Sequence, residues 1–453
     1  MLTTKKIIFI WIVWLVAINL FALFSLNRFN LDADTAYNWI DKNEFSQQKN
    51  WNLADLHSRW DSVWHLDIAE HGYEYKGEDA LSNIVFFPVY PFLIRILSYV
   101  FLGSFVIAGW VVSSVFLLFA LIVFNKLISE FFPSVNSLWS IFCLLVFPTA
   151  FFFNAIYTES LFLFLSILFF YYLFRKQFLY AGIFGLIASL TRITGVLLFL
   201  PFIWELFELS GYKIKQLFNK NLFYSFLVTL GTFAFFLYHK ITYGSFLLFF
   251  KIEADWGRDF SMNSDHFSMF SNPAKVNFAM DVIFIAFALV SCYFVFKKLR
   301  KSFAIYMLAT VLIAVSTGTL MSIGRYVLVL FPMFMLGGLI KDEVKRFAWI
   351  LPSTLLLAMY IILFLKRIPC DLARSDSGVH DTGNGRGIMK EIIIEYYAKY
   401  RRAIMEMVSL SIRMPLSYSI NIKIQKELVK QGSRGHNNRS TEGFQRKICN
   451  RNP

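Results

Sequence analysis

The sequence predicts an all-α integral membrane protein, a polytopic bundle of about 11 transmembrane helices with a large first extracytoplasmic loop. Two observations carry the prediction. Hydrophobic residues make up 57% of the 453 residues, aromatics 19% and charged residues only 16%, with 53 Phe and 21 Tyr; soluble domains usually carry about 25% charged residues. Such a chain could not keep its apolar surface from water without a bilayer. Second, apolar runs long enough to cross a hydrocarbon core, about 20 residues, recur over the first 365 residues.

The first run, 7–26, follows Lys5 and Lys6. It is longer than the apolar core of a cleavable signal and lacks a small-x-small cleavage site, so it reads as a first helix with a cytoplasmic N-terminus. The others are 84–102, 104–125, 137–153, 157–174, 179–201, 222–240, 279–296, 302–320, 326–340 and 347–365. Alternation places loops 27–83 and 241–278 outside. It places Lys213, Lys215 and Lys220 inside, with Lys297, Lys298, Arg300 and Lys301, and with Lys341, Lys345 and Arg346, as the positive-inside tendency requires. Two points resist it. Arg175 and Lys176 fall outside, and the run 84–102 holds Pro88, Pro91 and Arg95, which suits an interfacial segment. If 84–102 does not span, the parity of the middle helices flips and another segment must correct it.

From residue 366 the chain turns polar and basic, with 17 Lys and Arg against 8 Asp and Glu, so this tail holds +9 of the net +14. The expected division is a membrane domain, 1–365, and a partly disordered basic tail, 366–453. The remaining positive charge suits cytoplasmic loops and an anionic lipid surface. No nucleic-acid-binding signature accompanies it, and no nucleic acid is expected as a partner. Cys143, Cys292, Cys370 and Cys449 form no CxxC or His-paired metal spacing.

Residues able to carry chemistry fall in a few segments. Arg59-Trp60-Asp61-Ser62-Val63-Trp64-His65-Leu66-Asp67-Ile68-Ala69-Glu70-His71 is dense in titratable groups beside a membrane surface. On a helix Asp61 and His65 share a face. The segment reads either as a site or as an interfacial helix anchored by its Trp residues. Tyr157-Thr158-Glu159-Ser160 opens an apolar run, where Glu159 is either a helix-start carboxylate or part of a site. Arg192, in Thr191-Arg192-Ile193-Thr194-Gly195, lies deep in an apolar run and needs a partner; Glu159 is a candidate if the two helices are neighbours. Arg325, followed by Tyr326, sits at a helix entrance on the outer side, where a cation suits a phosphate or simply snorkels. Arg258, in Trp256-Gly257-Arg258, is a weaker candidate in the second long loop. There is no P-loop, GxGxxG, HExxH or GxSxG motif, so ATP-driven transport and soluble-type hydrolysis have no support.

Six pieces in order, RWDSVWHLDIAEHGYEY (59–75), FFPVYPFLIR (86–95), YTESLFLFLS (157–166), SLTRITGVLLFLP (189–201), WGR (256–258) and SIGRYVLVLFP (322–332), resemble the PIG-V family of membrane mannosyltransferases, bacterial relatives included. The resemblance covers residues 1 to about 340; the tail shares none of it. It implies a GT-C-like bundle and transfer of a sugar, mannose by the family name, from a polyprenyl-phosphate-linked donor to an acceptor hydroxyl at the extracytoplasmic or luminal face. It also implies Asp61 as general base and, with a single displacement, inversion. The residues agree: a lipid-phosphate donor needs no nucleotide site, and Arg192 or Arg325 could neutralise the leaving phosphate. The expected substrate-binding set is Arg59, Trp60, His65, Glu70, His71, Tyr157, Glu159, Arg192, Arg258, Arg325 and Tyr326. No residue is assigned to a metal and no cofactor is assigned with certainty; a divalent cation at Asp61, Asp67 and Glu70 stays open, since no ligand spacing demands one. The expected partners are the lipid-linked donor, a glycan, lipid or protein acceptor, and membrane lipids. The location is a multi-pass protein of the bacterial plasma membrane in preference to the endoplasmic reticulum. The rival reading, a secondary transporter or lipid flippase, would call for internal repeats, and none is visible.

Overall fold

A computed structural model describes residues 2–28, 56–77, 81–255, 276–317, 320 and 322–366. Arg258 and the tail from 367 lie outside the described residues. The chain divides into two units, 1–379 and 380–453, and the described residues all belong to the first.

Among the described residues the regular structure is entirely helical: α1 (Thr4–Arg28), α2 (Asp61–Glu70), α3 (Val89–Ser98), α4 (Phe105–Phe131), α5 (Ser137–Leu145), α6 (Glu159–Phe174), α7 (Phe178–Ser189), α8 (Phe199–Leu209), α9 (Lys220–Tyr243), α10 (Leu248–Asp255), α11 (Val276–Lys298), α12 (Lys301–Ser316), α13 (Ile323–Leu328), α14 (Pro332–Leu339) and α15 (Glu343–Lys366), with short 3-10 turns and one helical turn between them. Five of these, α1, α4, α9, α11 and α15, contain an unbroken stretch long and apolar enough to cross a membrane. The chain is an all-α, polytopic membrane protein.

The other apolar runs are shortened or broken, each for a local reason. The run 84–102 yields only the ten residues of α3, about 15 Å against a core of about 30 Å. Pro88 caps it, and one face buries Tyr90, Pro91 and Ile94 while Phe92, Ile96 and Tyr99 stand exposed. Such a helix is too short to span, and its exposed apolar face suits an interfacial position. The run 137–153 stops at Leu145, ahead of Pro148, and resumes as a 3-10 turn, Ala150–Phe153. The run 326–340 divides ahead of Pro332, which opens α14.

Contacts fix the chain direction. Asn125 exchanges hydrogen bonds with the backbone of Leu2, and the Trp11 indole donates to the Ser114 carbonyl, so α1 and α4 run antiparallel. With the N-terminus cytoplasmic, α4 ends in the cytoplasm. Arg175, just past α6, meets Glu130 near the end of α4 at 2.8 Å. With that orientation Arg175 and Lys176 fall on the cytoplasmic side, in keeping with the positive-inside tendency.

The second conflict resolves at Arg192. Gly182 lies against the Tyr224 carbonyl and Thr232 bonds the Ser189 carbonyl at 3.3 Å, so α7 climbs parallel to α9. The chain turns over at Thr191–Arg192 and descends, with the Phe199 ring 5.6 Å from that of Phe226 and Glu205 bonded to Arg300 and Ser302 at the opposite end. Gly195 makes the tight turn-back: a Cβ there would strike the backbone of Ala188 and Ser189. Residues 178–209 thus form a hairpin with its tip toward the outer face. Parity lost at 84–102 is restored here.

The aromatic residues fill the centre. Phe124, Phe170, Phe303 and Phe331, all fully buried, meet edge-on at centroid distances of 4.8–5.7 Å, the arrangement ring quadrupoles favour.

Candidate active site

The broken segments converge. The turn after α5, the tip of the 178–209 hairpin and the start of α13 reach the outer side together, beneath the first turn of α2. Irregular backbone at this depth is tolerated where it is enclosed by protein or lines a cavity. Each segment delivers one charge: Glu159 from the start of α6, Arg192 from the hairpin tip and Arg325 from α13.

The charges form one chain with Asp61. Glu159 is fully buried, and its Oε1 accepts from Arg192 Nη1 at 2.8 Å and from Arg325 Nε at 2.6 Å. Arg325 also donates through Nη1 to Asp61 Oδ2. Arg192 bonds the Thr158 hydroxyl at 3.3 Å. Two carboxylates and two guanidiniums give a formal sum of zero, which lets the set persist away from water. The side chains of Arg192 and Arg325 are each 11% exposed, and Asp61, at 28%, is the open end of the chain. Aromatic faces line the cations: Arg325 lies 4.4 Å from the Tyr157 ring centroid and Arg192 5.3 Å from that of Tyr326. Apolar packing of equal volume would stabilise the fold as well or better, so a buried set of this kind points to chemistry. Glu159 Oε2 and the Thr194 hydroxyl are buried with no hydrogen-bond partner among the described residues.

Backbone strain sits beside both members of the Asp61–Arg325 pair. Trp60, immediately before Asp61, has φ 58°, and Ser322, three residues before Arg325, has φ 67°. Such sparsely populated backbone conformations cost a residue with a Cβ about 1–3 kcal/mol and concentrate at sites the surroundings hold in place.

A second tier of polar contacts ties the outer loop to the bundle. Tyr157 donates to the Arg59 carbonyl at 2.9 Å, the Ile156 amide to the His57 carbonyl at 3.0 Å, and Ser62 to the same carbonyl at 3.3 Å. Asn154 accepts from the Trp110 indole at 2.9 Å and lies 3.4 Å from His57 Nδ1. Burial holds the His57 imidazole down at about 4. His65, edge-on to Phe86 and Tyr90 at 5.0 and 5.1 Å, is likewise held at about 4 by burial, against the pull of Asp61. Both are neutral at pH 7.

The structure therefore brings together Asp61, Tyr157, Glu159, Arg192, Arg325 and Tyr326, with Arg59 joined through its carbonyl and His65 packed behind. Trp60 is 42% exposed beside Asp61. Glu70 and His71 do not join: they lie at the far end of α2, nine and ten residues on, about 14 Å along the axis. His71 pairs with Asp67 at 3.1 Å, and the Glu70 carbonyl accepts from Arg95 at 3.0 Å. Asp67 also accepts from Asn83 at 2.8 Å. Among the described residues no three His, Cys, Asp or Glu side chains group as a set that could hold a metal ion. The sequence reading did not single out His57 or Asn83, whose contacts are made across the fold and leave no local pattern.

No curated protein matches the chain. A crystal structure of ArnT from Cupriavidus metallidurans, bound to undecaprenyl phosphate, is similar at 14% identity and a TM-score of 0.44, over 78% of this chain and 76% of that one. The model of the Mannosyltransferase (PIG-V) family matches residues 4–257, more than half of the sequence, in a stretch that contains α2, Asp61, Glu159 and Arg192. The chain belongs to the PIG-V mannosyltransferase family and is a membrane-embedded glycosyltransferase.

Proposed function

We propose that this enzyme moves a mannosyl group from a polyprenyl-phosphate donor to an acceptor hydroxyl at the outer face of a bacterial plasma membrane, with inversion and with Asp61 as general base. The observation that supports it best is the Asp61–Arg325–Glu159–Arg192 chain, at the outer end of a bundle whose helices break around it. The donor's isoprenoid stays among apolar side chains and its phosphate meets Arg192 and Arg325. The acceptor approaches from outside, above the first turn of α2. Its oxygen forms a bond to the anomeric carbon as the bond from that carbon to the phosphate oxygen breaks on the opposite side. The hydroxyl proton passes to Asp61 and the electron pair leaves with the phosphate. The phosphate gains one negative charge as Asp61 loses one, so the charge within the site is unchanged. Glu159 holds the two guanidiniums in register for the leaving group. His65, neutral, packs the first turn of α2 from behind.

The test is turnover of purified protein in lipid with polyprenyl-phosphate-mannose and a panel of glycan, lipid and protein acceptors. Loss of a general base predicts a rate about 10²–10⁴-fold lower for Asp61→Asn, with NMR of the product showing the anomer opposite to the donor's. Normal turnover by the variant removes Asp61 from the role, and a retained anomer removes the single displacement.

A further inference from the structure

Asp61 Oδ2 is engaged by Arg325, and a guanidinium on a carboxylate weakens it as a base. Arg325 is also the cation nearest the open end of the chain, so the same guanidinium faces two carboxylates here and the donor phosphate during transfer. Its bond to buried Glu159 through Nε anchors one edge of the group, leaving the edge on Asp61 as the one that can exchange. Arg192 is anchored to Glu159 and Thr158.

Resting on the function proposed above, we infer that the Asp61–Arg325 pair is a resting lock that the donor opens: the lipid phosphate takes the Arg325 edge now held by Asp61, and Asp61 becomes available as a base only when a donor is in place. The chemistry is an exchange of one anion for another on a fork-shaped cation suited to bidentate oxygen pairs. It gives the enzyme a fixed order, donor before catalysis. It also protects a bound acceptor hydroxyl from activation with no sugar to receive.

Competition for one guanidinium has a signature that a structural residue does not share, and the gain on removing Asp61 must vanish in an Arg325→Gln background. Removing the Asp61 charge should strengthen binding of the lipid phosphate while abolishing transfer. The experiment is direct binding of a short-chain polyprenyl phosphate to the full-length protein in detergent, for wild type, Asp61→Asn and Glu70→Gln, a carboxylate on the same helix outside the charged chain. Asp61→Asn is expected to bind roughly tenfold tighter, as expected when a competing charge-assisted hydrogen bond is removed, with Glu70→Gln like wild type. Equal or weaker binding by Asp61→Asn overturns the lock. Size-exclusion profile and melting temperature show that the variant is folded; should it fail to fold, Asp61→Ser carries the same test, and equal or weaker binding by it overturns the lock. The two readings fail distinguishably: an inactive Asp61→Asn with unchanged binding keeps the base and removes the lock, whereas an active variant removes the base and with it the gating, leaving tighter binding as competition for Arg325 alone.

Discussion

Replacing Glu159 by Gln tests whether one buried carboxylate holds the site together. Glu159 is inaccessible to solvent, and a single oxygen accepts from both Arg192 and Arg325 at 2.8 and 2.6 Å. Taking one partner from a buried ion pair leaves an uncompensated charge and costs about 3–5 kcal/mol. Two guanidiniums lose their carboxylate here, but the amide keeps one oxygen to accept from one of them, so the low end, about 3 kcal/mol, applies. At roughly 2 °C per kcal/mol for a large domain this lowers the melting temperature by about 6 °C. The assay is thermal unfolding of purified protein in one detergent, followed by intrinsic fluorescence, with Glu130→Gln as the control. Glu130 meets Arg175 through half-exposed side chains at the cytoplasmic end, and exposed pairs contribute little, so the control should melt with wild type. A Glu159→Gln protein that also melts within about 1 °C of wild type would refute the claim that Glu159 neutralises both arginines.

Other expectations follow from the same geometry. His57 and His65 titrate at about 4 when folded and at 6.5 when unfolded. The unfolded chain therefore binds more protons between those values, and stability should fall as pH is lowered from 6.5 to 4. Melting curves across that window should show a shallower fall for His65→Gln, and an unchanged slope would mean His65 is not neutral and buried. Gly195→Ala puts a methyl into the backbone of Ala188 and Ser189. Overpacking of this kind costs about 1–3 kcal/mol, and because it spreads the hairpin that presents Arg192, turnover should drop along with melting temperature; wild-type values of both would reject the tight turn. Single cysteines read the topology with an impermeant maleimide on intact cells. Leu102→Cys, fully exposed after α3, should label from outside, and Lys176→Cys only after permeabilisation. The opposite pattern would restore 84–102 as a span.

The membrane class and the places of the five unbroken spans were legible because the bilayer sets a length that an apolar run must meet. The Arg192–Glu159 contact was legible too, since a lone charge in such a run demands a partner and few were on offer. The hairpin was not: residues 179–209 are apolar almost throughout, so composition shows one long run, and only the packing of Gly195 on Ala188 reveals the reversal. The Asp61–Arg325 pair joins residues 264 apart, a separation at which spacing carries no signal. Glu70 and His71 looked like members of the site because they neighbour Asp61 along the chain, whereas the rise of α2 carries them to its other end. For 84–102 the two prolines gave the right warning, and the exposed face of α3 explains it.

The order of the four charges along the chain bears on how the protein is made. Glu159 emerges from the ribosome long before either cation: Arg192 follows 33 residues later and Arg325 166 residues later. At about 5–20 residues per second, the carboxylate waits some seconds for its first partner and roughly ten to thirty seconds for its second. Until then it must remain protonated, hydrated or shielded by the insertion machinery. Ribosome-bound chains stalled before and after residue 325 should therefore differ sharply in protease resistance, and codons that slow translation between α6 and α13 should lower the yield of folded enzyme. The catalytic centre would double as a checkpoint of biogenesis, complete only when α13 has arrived.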